Sequence, residues 1–273
     1  MRLCISNIAW KDSHEPKVFE LLKSKGFKSL EGAPARISPD LLELNDDSLI
    51  NIRNKYDCMG LPLISMQSLL YGSKGCHLFE SEISRSNLTE HLKKLIRISS
   101  LLGIKNLVFG SPRNRIVPTL MRKDVAKDIA MSFFSEIGSV AKRNNTTLSI
   151  EPNASKYGGN YLTKTIETID FIRELKNEGI KLNLDLSTVT LENEELDYIL
   201  EKSDGLINHV HISDPFLEPV MSNIEKSKHQ NYKRSLKNSN YEGSISIEMA
   251  YSSIEETETS IDHVLDVYGD LLH

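Results

Sequence analysis

The feature that most constrains this chain is a strict alternation of short β-branched or apolar runs with longer stretches of helical period. Eight runs read as strands: residues 2–10 (RLCISNIAW), 28–34 (KSLEGAP), 61–67 (LPLISMQ), 106–111 (NLVFGS), 147–152 (TLSIEP), 181–187 (KLNLDLS), 206–214 (LINHVHISD) and 244–250 (SISIEMA). Amphipathic stretches between them cover 15–25, 47–57, 88–102, 123–143, 163–178, 193–203, 221–238 and 254–268. In 88–102, Leu88, Leu92, Leu95, Ile96, Ser99 and Leu102 recur at helical spacing. Gly26, Gly103 and Gly179 stand where helix C-caps are expected. Alternation of this kind requires parallel strands joined by crossover helices. Eight units in 273 residues match one (β/α)8 TIM barrel spanning 1–273. An open doubly wound sheet would carry a glycine-rich phosphate loop after its first strand, and NIAWKDSHEP contains no glycine.

With 39% hydrophobic and 26% charged residues the chain has ample material for a large core. Its net charge of −5 argues against a general nucleic-acid-binding surface, which is usually basic. Cys4, Cys58 and Cys76 are odd in number and in no paired motif, so a disulfide framework is not expected and a reducing, cytoplasmic compartment is. The first residues turn polar after about ten positions, too early for a signal peptide, and no run of ~18 apolar residues could span a membrane.

The last four expected strands each end in a residue that can bind a metal: Glu151, Asp185, His211 and Glu248. In a parallel barrel, equivalent strand ends converge on one mouth, where the active sites of such folds are built. Three carboxylates gathered there would repel one another without a counter-charge. A single divalent cation supplies it, and one imidazole with three carboxylates suits Mn2+ or Mg2+, with Co2+ or Zn2+ as alternatives. Any one of these residues alone is more often a helix cap or ion-pair partner than a ligand; four in the same place on successive strands are what point to a metal.

This tetrad resembles the metal site of the xylose isomerase-like barrels, which include ketose 3-epimerases, hydroxypyruvate isomerase, inosose dehydratases and apurinic endonucleases. Further echoes are Trp10 in NIAW, Glu31 in SLEGAP and the stretch EPNASKYGGNYL (151–162), similar to sugar phosphate isomerase/epimerase members. The resemblance implies a divalent-metal-dependent sugar or sugar phosphate isomerase or epimerase. Glu151 and Glu248 would act as acid and base on opposite faces of a carbon beside a carbonyl, through a metal-stabilised enediolate. An inosose dehydratase-like lyase, an endonuclease-like hydrolase and a non-catalytic sugar-binding barrel are the alternatives. Two departures bear on these. Thr188 stands where the epimerases and endonucleases carry a histidine three residues after the strand-six aspartate. Gln67, Ser111 and Thr188 offer no histidines for the endonucleases' three-zinc cluster, and His209 replaces its aspartate before the strand-seven histidine.

Substrate contacts are expected around the mouth. Arg113 and Arg115, in the loop GSPRNR, suit a phosphate or carboxylate, or else form surface ion pairs. Lys226, Lys228, His229, Lys233, Arg234 and Lys237 form either a second basic patch or a solvated helix face. Trp10, Tyr71, Tyr157 and Phe216 are placed to stack on a sugar face, and Glu31 and Gln67 fall at strand ends two and three. By the period of two, His209 faces the same side as His211, as an orienting donor or as an interior histidine. Asp214 holds a substrate hydroxyl or caps the following helix. The expected partner is a small sugar or sugar phosphate, with no nucleic acid or membrane; members of such families are often homo-oligomers.

Overall fold

Each apolar run becomes a strand, and every strand pairing is parallel. The computed structural model describes residues 1–271, with strands β1 (Arg2–Ile5), β2 (Leu30–Gly32), β3 (Leu63–Met66), β4 (Asn106–Phe109), β5 (Thr147–Ile150), β6 (Ile180–Asp185), β7 (Ile207–Ser213) and β8 (Ser244–Glu248). The helices are α1 (Glu15–Ser24), α2 (Pro34–Ile37), α3 (Asp46–Cys58), α4 (Glu82–Leu102), α5 (Lys123–Arg143), α6 (Thr165–Leu175), α7 (Leu186–Leu191), α8 (Leu196–Lys202), α9 (Lys226–Asn238) and α10 (Ile254–Tyr268). The strand order is β1-β8-β7-β6-β5-β4-β3-β2. A parallel bridge from Ser6 to Glu31 draws the two edges together. The result is a nearly closed (β/α)8 barrel.

Local chemistry sets the boundaries. α4 begins at Glu82, ahead of the expected 88, because the Ser81 hydroxyl accepts the Ser84 N–H as an N-cap. It ends where expected, with Gly103 left-handed at φ 79°. Gly179 is not a cap. Lys176 (φ 52°) ends α6, and a Cβ on Gly179 would meet the Gly138 carbonyl oxygen at 1.9 Å, so glycine there lets β6 approach α5. The stretch expected as one helix over 193–203 begins only at Leu196, and α7 precedes it directly off β6 because Asp185 caps it. α9 starts at Lys226, and its lysines 226, 233 and 237 pair with Asp266 and Asp270 on a solvated helix face, whereas His229 of the same stretch is buried against Tyr268. Exposed pairs of this kind contribute only ~0–1 kcal/mol each.

Apolar packing lies between the strands and the helices, as in the run of edge-on rings Phe109, Phe134 and Phe171. Inside the barrel the packing is polar. Asn106 on β4 donates to Ser65 (2.8 Å) and accepts from Ser149 (2.6 Å) and Asn208 (2.7 Å). The three cysteines are free. Among the described residues no helix is long and apolar enough to cross a membrane.

Candidate metal centre

β5 to β8 deliver Glu151, Asp185, His211 and Glu248 to one point at the mouth, and all four are buried. One ligand atom from each lies within 4.8 Å of all the others. His211 Nδ1 stands 2.9 Å from Glu151 Oε1 and 3.1 Å from Glu248 Oε2, yet it has no aligned hydrogen-bond partner. A buried nitrogen flanked but not hydrogen-bonded by two carboxylate oxygens, with a third carboxylate beside them, fits a cation better than a set of protein–protein bonds. The donor set of one nitrogen and three carboxylates fits a divalent ion of hard or borderline character.

The surroundings hold these groups in place. Asn183 Nδ2 donates to Glu151 Oε1 (2.7 Å) and Asn153 Nδ2 to Oε2 (3.1 Å). Gly110 is required by this approach, since a Cβ there would sit 2.5 Å from Glu151 Oε2. Asp185 Oδ1 accepts from the Thr188 N–H (2.6 Å) and the Ser187 hydroxyl (2.7 Å), and Ser213 donates to Oδ2. Asp185 is therefore a helix cap and a candidate ligand at once; a carboxylate has enough lone pairs for both. Burial and the neighbouring Glu151 push the Asp185 carboxyl up against the pull of Ser213 and Ser187. Burial also pushes Glu248 up to about 7, opposed by His211 and reinforced by Glu151 and Asp185. His211 stays well above its ordinary value although burial lowers it, because Glu248, Glu31 and Glu151 surround it.

Of the expected substrate residues, Gln67, Arg113 and Tyr157 line a mouth cavity of about 420 Å³ together with Glu151, Asp185 and Glu248. Tyr71, 83% exposed, lines it too. Among the described residues Arg113 forms no ion pair with an acid. Tyr157 is fixed by its hydroxyl, which meets Ser187 (3.0 Å) and accepts the Phe216 N–H (3.1 Å), while its ring packs edge-on against Phe216.

Five expected contacts are corrected. Trp10 is 1% exposed, packs edge-on against Phe19 in the core and does not line the mouth cavity. Arg115 is also 1% exposed; its Nη2 donates to the Glu151 carbonyl (2.7 Å) and to Asn153 (3.0 Å), so it braces the end of β5 instead of forming a solvent-facing fork. Burial lowers its guanidinium to about 10. Asp214 is buried and accepts the backbone N–H groups of Met221 (3.0 Å), Asn223 (2.6 Å) and Ile224 (2.9 Å), which leaves its carboxylate to the loop and not to a ligand. Glu31 and His209 lie below the tetrad, fully inside the barrel: His209 Nε2 and His211 Nε2 stand 3.0 and 3.1 Å from the Glu31 carboxylate. Asn153, Asn183, Ser187 and Ser213 were not anticipated. Asn183 and Ser213 lie on strands two residues from Asp185 and His211, where the period-two rule finds them, while Asn153 and Ser187 lie past the ends of β5 and β6 and carry no such signal.

A larger hollow of about 790 Å³ opens at the opposite end of the barrel, lined by Asp204, Asn208, Tyr241 and Glu242 among others. None of the tetrad borders it, whereas Glu151, Asp185 and Glu248 line the mouth cavity.

No curated protein matches this sequence. Solved structures with the same fold include 3-keto-D-glucoside 4-epimerase YcjR from E. coli (17% identity, TM-score 0.80, covering 98% of this chain and 99% of that one). D-psicose 3-epimerase from Clostridium cellulolyticum, solved with D-tagatose, is 15% identical with a TM-score of 0.80 and full coverage of both chains (100% and 100%). The IolI protein, solved with a bound zinc atom, is 16% identical with a TM-score of 0.75, covering 100% of this chain and 99% of that one. At these identities the likeness establishes the fold alone. Residues 19–269 match the family described as xylose isomerase-like TIM barrel, and with eight parallel strands converging on a buried glutamate–aspartate–histidine–glutamate cluster the chain belongs to that family.

Proposed function

We propose that this protein is a divalent-metal-dependent sugar isomerase or epimerase in which Glu151 and Glu248 exchange a proton with a carbon beside a carbonyl. The observation that carries the reading is the arrangement of these two carboxylates on either side of His211 Nδ1, at 2.9 and 3.1 Å, within one buried cluster that opens into the mouth cavity. Glu151, Asp185, His211 and Glu248 would hold one ion, which when bound polarises the carbonyl and hydroxyl oxygens of the sugar. The proton chemistry falls to the glutamates. Burial pushes Glu248 up to about 7 in the metal-free protein, which opposes the lowering that a bound ion imposes on a carboxylate and so favours its use as base and acid. Glu151 is held by two amide donors, so its carboxylate is oriented before a substrate arrives. The epimerases that share the fold act on keto sugars by name, which is consistent with this assignment.

The substrate side departs from the family pattern. Thr188 is fully buried, and its hydroxyl donates to the Pro152 carbonyl (3.0 Å), so it does not present a side chain to the mouth in place of the histidine that the family pattern expects there. Arg113, unpaired at the cavity wall, supports a sugar carrying a phosphate or carboxylate. Incubating the metal-loaded protein in D2O with a panel of ketoses, aldoses and their phosphates tests the proposal. Deuterium at one carbon is expected for at least one substrate. Loss of water without exchange would assign a lyase, and binding without exchange or product would assign a sugar-binding barrel.

A further inference from the structure

The carboxylate of Glu31 is a hub that the proposed chemistry leaves unused. It sits on β2, pairs in register with Ser65 and is completely buried beneath the tetrad. Four side chains from three other strands converge on it. Ser65 donates to Oε2 at 2.6 Å, Ser246 to Oε1 at 3.2 Å, His209 Nε2 lies 3.0 Å from Oε2, and His211 Nε2 lies 3.1 Å from Oε1. The two imidazole planes stand at 85° to one another with centroids 5.2 Å apart, so each presents a nitrogen to the same carboxylate from a different side. An ionised carboxylate buried to this depth is costly unless every lone pair is engaged. Here Ser65, Ser246 and His211 hydrogen-bond to it, while His209 Nε2 lies at ion-pair distance without an aligned hydrogen bond.

We propose that Glu31 is a positioning residue that fixes the ring of His211, so that Nε2 carries a proton and Nδ1 faces Glu151 and Glu248. An imidazole can turn by half a revolution about its Cβ–Cγ bond, which would place a C–H where Nδ1 now stands. Within hydrogen-bond reach of His211, Glu31 is the acceptor on the side away from the tetrad, and a charge-assisted bond to it holds one orientation and one tautomer. Ser65, Ser246 and His209 in turn hold Glu31, which has crossed the barrel interior from β2 to β7 to make the contact. The consequence for an ion is indirect: it would displace a proton from an Nδ1 whose direction is already set, and groups in this relation to a metal ligand commonly set affinity by roughly 10–100-fold.

The inference rests on the metal reading for its effect on affinity, but its effect on His211 can be read without any ion. Glu31→Gln keeps the volume and removes the charge; Glu31→Asp keeps the charge. In metal-free protein with 15N-labelled histidine, the parent should show a slowly exchanging, downfield Nε2–H proton for His211. Glu31→Gln should shift it upfield or lose it, and Glu31→Asp should retain it in part. Titration with Zn2+ should give an affinity about 10–100-fold weaker for Glu31→Gln than for the parent, with Glu31→Asp between them. An unchanged Nε2–H signal, or Zn2+ affinity within twofold of the parent, overturns the proposal. Should Glu31→Gln fail to fold, Ser65→Ala decides: faster exchange of the same proton supports the hub, and unchanged exchange overturns it. A parent that binds no Zn2+ would remove the tetrad reading by itself, while the proton signal still decides what Glu31 does to His211.

Discussion

Replacing Glu248 by Gln separates the two duties given to that residue. The carboxylate is buried, its Oε2 is 3.1 Å from His211 Nδ1, and it lines the mouth cavity. Gln occupies nearly the same volume and keeps one oxygen for an ion, but it neither accepts nor returns a proton. Deleting a positioned acid or base costs about 10²–10⁴-fold in kcat, which is ~2.7–5.4 kcal/mol of barrel-mouth catalysis at 1.36 kcal/mol per factor of ten. The charge change works in the other direction on folding. Burial, Glu151 and Asp185 together push the Glu248 carboxyl up to about 7, so a neutral amide relieves repulsion, and the metal-free variant should be at least as stable as its parent. The expected profile is therefore a large drop in kcat, a KM within a few-fold, and an unfolding midpoint unchanged or raised. Steady-state kinetics on the substrate found by deuterium exchange, elemental analysis and a urea titration check the three parts. A variant that retains its metal and turns over within a few-fold of the parent refutes the two-carboxylate chemistry, and a metal-assisted hydride shift would then replace it.

The same carboxyl predicts a pH dependence of the metal-free protein. Its folded value of about 7 lies above the ordinary 4.5, so its contribution to stability is complete below about 4.5 and is lost as pH rises through about 7. The metal-free protein should lose up to about 3 kcal/mol over that window, and saturating divalent ion should restore stability at pH 8; a flat profile from pH 5 to 8 in differential scanning fluorimetry contradicts this. Arg113→Ala should raise KM for an anionic sugar by about 10–150-fold, the equivalent of a charged hydrogen bond worth ~1.5–3 kcal/mol, with kcat little changed. An unchanged KM in steady-state assays would favour a neutral substrate. Asp214→Asn should cost at most about 1–3 kcal/mol in urea unfolding by leaving one of three N–H groups, of which that of Ile224 is buried, without its acceptor, and limited proteolysis should then cut within 215–224; a variant as stable and as resistant as the parent removes Asp214 from the loop's support.

The fold was legible because a parallel barrel repeats one rule eight times, and the errors in single boundaries do not accumulate. The run SISIEMA places Glu248 at a strand end whether β8 stops at Glu248 or two residues later. The tetrad was legible for the same reason: it needs only the strand end and the residue type. Failures fall where a side chain's direction, and not its position in the chain, decides its role. Trp10 and Arg115 sit on loops next to the mouth in sequence, but one turns into the core and the other behind β5. Asp185 shows the competing effect, because its cap on α7 inserted a helix that hydrophobic period alone did not indicate.

Glu31 illustrates why a strand-end rule that finds ligands cannot rank them. Glu31 and Glu151 are both glutamates near the ends of barrel strands, yet one lies beneath His211 and the other beside it. The difference arises from register. A bulge between Leu30 and Glu31 shifts β2 against β3, so that Glu31 pairs with Ser65, inside the barrel, and its side chain projects across the interior toward β7. Across the barrel His209 and His211 are two residues apart, so both rings enter the interior at successive levels and both reach the same carboxylate. His209 therefore meets Glu31 and not the carboxylates of the tetrad, which leaves His211 as the member of the His-x-His pair that could bind an ion. Neither residue's role follows from its own neighbours in sequence; each follows from a distant strand, His211 and Glu31 being 180 residues apart along the chain.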